Sequence, residues 1–224
     1  MSLPANALEM LLQERHSCRG FLPTPVARPV IERILSMAQR AASWCNAQPW
    51  EVHVLSAAAT ESARSGLLEI VGRTAASPDW AFPSQYLGAS KQRRRECGLQ
   101  LYEAVGVTRA DPEGAERQRL ENFRFFNAPH VTIITADRAL GTYAGVDCGA
   151  FISTFMLAAR SLGVATIAQA ALASYADFWR DRLGLRDDRV VVCGISLGYE
   201  DSAHPANGFR TTRAAIDEVA FWVE

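Results

Sequence analysis

The chain has 224 residues, which fits one large domain and allows a full core without disulfide or metal staples. Its 49% apolar and 21% charged content excludes wholesale disorder and collagen-like repeats, and the 23 basic residues against 24 acidic ones, net −1, exclude a chain-wide polyanion-binding surface. No run of 18 apolar residues suggests a membrane span, residues 1–13 do not read as a signal peptide, and a cytoplasmic location is expected. Five cysteines, an odd number with no CxxC pair, point to reduced thiols. The four histidines form no HxxxH or HExxH pair, so no metal site is expected. Lys91 is the only lysine, so any phosphate or carboxylate here meets mostly planar guanidinium donors.

Taken in chain order, residues 7–16 read as a short helix. Residues 29–42 read as a stronger one, with Pro29 in the first turn and Val30, Ile31, Ile34, Leu35, Ala38, Ala41 and Ala42 at helical spacing. Residues 50–55 form a strand after Pro49, residues 58–71 a helix, and residues 74–84 a loop broken by Pro78 and Pro83. Helices are expected over 85–105 and 113–126, and a strand over 130–136 behind Pro129. The helix predicted over 143–162 carries Asp147 as its only acid and Arg160 as its only base. A helix apolar nearly all round belongs in the middle of a structure. A strand at 164–168, a helix at 175–183, a central strand at 190–197 and an apolar strand or tail at 216–223 complete the set. The whole is a single α+β domain spanning 1–224.

Generic motifs explain little. Gly194-Ile195-Ser196-Leu197-Gly198 matches the hydrolase nucleophile elbow and follows a strand, but no helix follows it, and of the downstream acids Asp217 comes after His204, the single downstream histidine, and Asp201 only three residues before it. A buried strand ending in a bend accounts for it. Neither GxGxxG nor GxxxxGK[ST] occurs, so neither a Rossmann dinucleotide site nor a P-loop has sequence support. The run Lys91–Arg95 is too short for nucleic acid; it is a solvated helix face or an attractor of an anionic substrate or donor phosphate.

Three other segments stand out. Arg15-His16-Ser17-Cys18-Arg19-Gly20-Phe21 groups two guanidiniums, a hydroxyl and an imidazole, either a phosphate clamp or a basic helix end. Ser43-Trp44-Cys45-Asn46-Ala47-Gln48-Pro49-Trp50 clusters neutral polar groups between a helix and a strand, suited to the edge of a heterocycle or simply to a connecting loop. Phe209-Arg210-Thr211-Thr212-Arg213 sets two guanidiniums in a loop after the last core strand.

Together these segments, with Pro25, the Ile-x-x-Ile-Leu helix and Leu-Gly-Tyr at 197–199, resemble the nitroreductase family of FMN-dependent oxidoreductases over nearly the whole chain and in the same order. Asn-Phe-Arg-Phe-Phe-Asn-Ala-Pro-His, Val-Asp-Cys-Gly and Ala-Gln-Ala-Ala-Leu-Ala resemble its nitrobenzoate-reductase-like branch. The resemblance implies a small mixed central sheet ringed by helices, in an intertwined homodimer with one FMN at each of two interface sites. It implies that Arg15, His16, Ser17 and Arg19 hold the ribityl-phosphate and the pyrimidine edge, with Arg19 stabilising negative charge there. Ser43 and Asn46, with Trp44 and Gln48 beside them, reach the flavin of the other subunit. Gln169 and Ala170 fall in the stretch 168–171, whose backbone N–H groups lie near the reactive ring nitrogen. Arg213 matches the late phosphate arginine. Thr211 stands where many relatives have lysine, and Arg210 is the replacement for that charge. Ala42 stands where many have proline.

The implied activity is hydride transfer from NADH or NADPH to FMN, then reduction of a small nitroaromatic acceptor in ping-pong order. The flavin carries the hard chemistry, so no catalytic side chain is named. A quinone, enone or halogenated phenol as acceptor, or a non-catalytic flavin-binding role, are the alternatives.

Overall fold

The structure is a computed structural model that describes residues 3–224. Helix α1 (Leu3–Glu14) precedes α2 (Arg28–Ala38), strand β1 (Trp50–Val54), α3 (Ala57–Ile70), α4 (Gly88–Ala104), α5 (Pro112–Leu120), β2 (His130–Asp137), α6 (Gly141–Ser161), β3 (Ala165–Gln169), α7 (Ala176–Leu183) and β4 (Arg189–Gly198). The sheet order is β1-β2-β4-β3, and every ladder is antiparallel. The mixed sheet expected from the sequence is therefore antiparallel in its ladders. Among the described residues, parallel pairing enters only as isolated bridges, Ser17–Thr166 and Ser77–Tyr175.

Period-two alternation divides β2 between two cores. Val131 and Ile133 face a cluster built with α3, α7, Phe125, Phe126 and Trp179. Ile134 and Ala136 face a second cluster with α2, α6 and Leu197. Both strands of the β2–β4 ladder are buried almost throughout, which explains why the sequence of β4 is a continuous apolar run.

Several boundaries move for local reasons. The helix expected over 29–42 ends at Ala38, and the next side chain, Gln39, accepts from the Trp50 indole at 2.9 Å and donates to Gln48 at 2.8 Å. The helix expected over 113–126 ends at Leu120, because Phe125, Phe126 and Asn127 form a left-handed turn with φ of 56°, 51° and 62°. Arg64 clamps that turn by donating to the carbonyls of Arg124 and Ala128, which lets both phenylalanines reach the core. Past a short 3-10 turn at Ile216–Glu218, the apolar tail is not a strand: Phe221, Trp222 and Val223 are 82%, 88% and 97% exposed.

Helix α6 is buried on one face only, through Ala144, Cys148, Phe151, Phe155 and Ala159. Its other face, with Tyr143 and Val146, is open. Residues 138–161 are long and apolar enough to cross a bilayer by composition alone, yet this segment packs against the sheet and α2 as a core helix.

Candidate active site

The first motif is extended chain laid across the ends of β3 and β4. Ser17 bridges Thr166, the Cys18 N–H donates to the Thr166 carbonyl at 3.1 Å, and Phe21 bridges Glu200. Gly20 is required here, since a Cβ would lie 2.3 Å from the His204 ring. Asn207, buried in the loop after β4, ties the two segments together. Its oxygen accepts from the Arg19 N–H at 2.6 Å, and its amide donates to the carbonyls of Gly20 and Asp201.

This stitching gathers Arg15, His16, Ser17, Arg19, Arg210 and Arg213 around a cavity of about 410 Å³, completed by Leu12, Gln13, Cys97, Phe209 and Thr211. The volume is in the range of small-molecule sites. Four arginines line it, with Glu9 its one acid. Burial, and then the neighbouring Arg213, lower the pKa of Arg15. Burial likewise lowers Arg19, whose guanidinium donates to the Ser17 carbonyl and lies over the Phe209 ring at 5.6 Å. Like charges brought together and partly desolvated, without acids to match, make a receptor for an anion. Thr211, which by the resemblance stands where many relatives have lysine, accepts from the Arg213 guanidinium at 2.9 Å and so braces it. Arg210 lines the same cavity and folds back onto the carbonyls of Asn207 and Phe209.

His16 is engaged at both ring nitrogens, by the Glu14 carbonyl and the Glu200 carboxylate, each at 3.1 Å. It locks the motif to the segment after β4.

Ser43, Trp44, Asn46 and Gln48 do not line this cavity. They form an exposed loop against α6, where Trp44 packs on Tyr143 at 4.4 Å between ring centroids. Gln169 is buried at the end of β3, accepting from Ser196 and donating to the Asn122 carbonyl at 2.8 Å. Its side chain is spoken for, while the next residue, Ala170, is exposed. Ser196 itself is 0% exposed and bonded to Gln169, which closes the hydrolase reading.

Sequence reasoning missed Asn207, Phe209 and Cys97. The first two sit inside the Asn-Gly-Phe-Arg run; Cys97 lies on α4, whose lack of an apolar stripe gave no sign that one face borders a cavity. In the basic run beside it, Arg93 pairs with Glu218 at 3.3 Å and Arg94 lies over the Tyr86 ring.

Comparison with known proteins identifies the family. The model of the nitroreductase family matches residues 12–199. A 4-nitrobenzoate reductase of Nocardioides sp. is 35% identical over 97% of this chain and 90% of its own length. A second 4-nitrobenzoate reductase, from Pseudomonas putida, is also 35% identical, over 95% and 94%. Among solved structures, the FMN-dependent nitroreductase NfnB of Mycobacterium smegmatis in complex with NADPH superposes with a TM-score of 0.94 at 32% identity, covering 99% of this chain and 100% of that one. With a matching family model over most of its length and full-length relatives above 30% identity, the chain belongs to the nitroreductase family.

Proposed function

We propose that this chain is an FMN-dependent oxidoreductase that takes hydride from NADPH or NADH and reduces an aromatic nitro compound, as a homodimer whose two flavin sites are each shared between subunits. The observation that carries this is the convergence of Arg15, Arg19 and Arg213 on one cavity without matching acids. The residues present fit the FMN phosphate there: the fork of a guanidinium matches a phosphate, and four such forks surround the cavity. Hydride chemistry is what FMN supplies when bound. The chain's own groups bind the phosphate, hold the ring edge and offset negative charge on its pyrimidine side, the last being the role of Arg19.

Shared sites are supported by how the predicted residues divide. The arginine cluster lies in one place, and the loop carrying Ser43, Asn46 and Gln48 in another, on a helix whose outer face is open. That face is small and apolar (Val146, Gly149, Ala150), and the exposed tail offers Phe221 and Trp222. Exposed apolar surface of this extent marks an interface. The same assembly would bring the loop of one subunit to the cavity of the other. A cytoplasmic enzyme suits the free thiols.

The decisive experiment is anaerobic. Protein reconstituted with FMN is yellow, is bleached by NADPH or NADH, and regains its colour on adding 4-nitrobenzoate. Protein that takes up no FMN refutes the proposal. Reoxidation only by a quinone, an enone or a halogenated phenol moves the acceptor and leaves the flavin site standing.

A further inference from the structure

We infer that Asp147, on α6, is a positioning residue for the flavin site: it holds the loop 43–48 in a strained shape that presents its polar groups to a second copy of the chain. This rests on the shared-site reading above.

Three of four consecutive residues in the loop, Cys45, Asn46 and Gln48, have φ of 52°, 56° and 45°. Side chains with a Cβ rarely adopt that region, and such strain persists only where surrounding contacts over-determine it. Here they do. The Gln48 N–H donates to the Ser43 hydroxyl at 3.0 Å, and the Gln48 amide donates to the Asn46 side chain at 3.0 Å. One anchor comes from the sheet-packed helix: both oxygens of Asp147 accept from the Trp44 N–H, at 3.1 and 3.3 Å. Trp44 also packs on Tyr143, one turn earlier on the same helix.

Asp147 is only 8% exposed, and among the described residues no arginine, lysine or histidine pairs with it. A buried carboxyl group whose partner is a single backbone N–H is a poor device for stability, since an apolar side chain would fill the helix face at lower desolvation cost. What it does fix is the path of a loop that is itself exposed. A rigid polar loop held on a helix with an open face has the form of a contribution to a neighbour's site.

The test uses full-length dimers and FMN titration by flavin fluorescence. Asp147→Ala is expected to weaken FMN binding at least about tenfold, and Asp147→Asn, which keeps one oxygen acceptor, by less than about threefold. Asp147→Leu, close in volume and apolar, serves where the alanine variant does not fold. Mixed dimers then separate a loop acting across the interface from a fault within one subunit. When one subunit carries Asp147→Ala and the other Arg213→Ala, both lesions fall on one site and the second site carries neither. One FMN of wild-type affinity per mixed dimer is expected. Mixed dimers with no such site, or wild-type affinity in the Asp147→Ala and Asp147→Leu dimers, overturn the inference. Unchanged affinity in the Arg213→Ala dimer refutes the phosphate assignment instead, and the Asp147 dimers then decide the role of the loop by themselves.

Discussion

Replacing Arg213 by alanine separates a ligand-binding arginine from a structural one. Its guanidinium donates through one nitrogen to the Thr211 hydroxyl and to the carbonyls of Thr211 and Thr212, all within its own loop. Those contacts are exposed and short-range, so their loss costs the fold little. Arg213 also stands close enough to Arg15 to lower that group's pKa, so in the FMN-free chain its removal relieves a repulsion. With phosphate present the sign reverses, because a charge-assisted hydrogen bond to an anion is worth about 1.5–3 kcal/mol. At about 1.4 kcal/mol per tenfold, Arg213→Ala is expected to weaken FMN binding by about 10- to 100-fold. The expected signature is therefore split: an FMN-free Tm that is unchanged or slightly raised, and a loss of the Tm gain that FMN confers. Fluorescence titration gives the affinity, and differential scanning fluorimetry with and without FMN gives the stabilities. Arg213→Lys keeps the charge without the fork and should fall between. Unchanged FMN affinity, or an FMN-free Tm several degrees lower with affinity intact, would show that the loop is structural and the cavity holds something else.

Four further outcomes follow from particular side chains. Burial pushes the Cys18 and Cys148 thiols up to about 12 and Cys193 to about 11, so none of these should react with a disulfide reagent near pH 8. Cys97, which lines the arginine cavity, should react in FMN-free protein and slow markedly once FMN is added; equal rates would place the cofactor elsewhere. Ser196→Ala should leave flavin chemistry unaltered while costing about 1–3 kcal/mol of stability, because Gln169 loses its buried donor, and ester hydrolysis that depends on Ser196 would contradict this. His53 on β1 is held below its usual value of 6.5, mainly by burial and further by Arg189, with Glu51 opposing, and its Nε2 is buried without a partner. As pH falls below about 6.5 the unfolded chain takes up this proton before the folded chain does, so stability should fall through that window down to the lowered folded value. Urea midpoints from pH 7.5 to 5 measure the slope, and His53→Thr should flatten it; an unaltered slope assigns the loss to another group.

The sequence by itself determined most of the secondary structure and, through the resemblance its motifs carry, the choice of candidate anion-binding groups. Helical spacing marked α2, and sustained apolar runs marked α6 and β4, because those signals are local, written into neighbouring residues. They were weakest where long-range contacts overrule local preference. The left-handed turn at 125–127 exists because Arg64, sixty residues earlier, clamps carbonyls on either side of it, and no window around Phe125 contains that fact. The same holds for the site. Arg15, Arg19 and Arg213 were legible as chemistry, but only the tertiary structure decided that Asn207 stitches the two ends of the chain into one cavity while Ser43, Asn46 and Gln48 sit apart from it on α6. Residue types carry the capacity to bind an anion; which of them converge is set by packing across nearly 200 positions, and hydrogen bonds over that separation leave no periodic trace in the sequence.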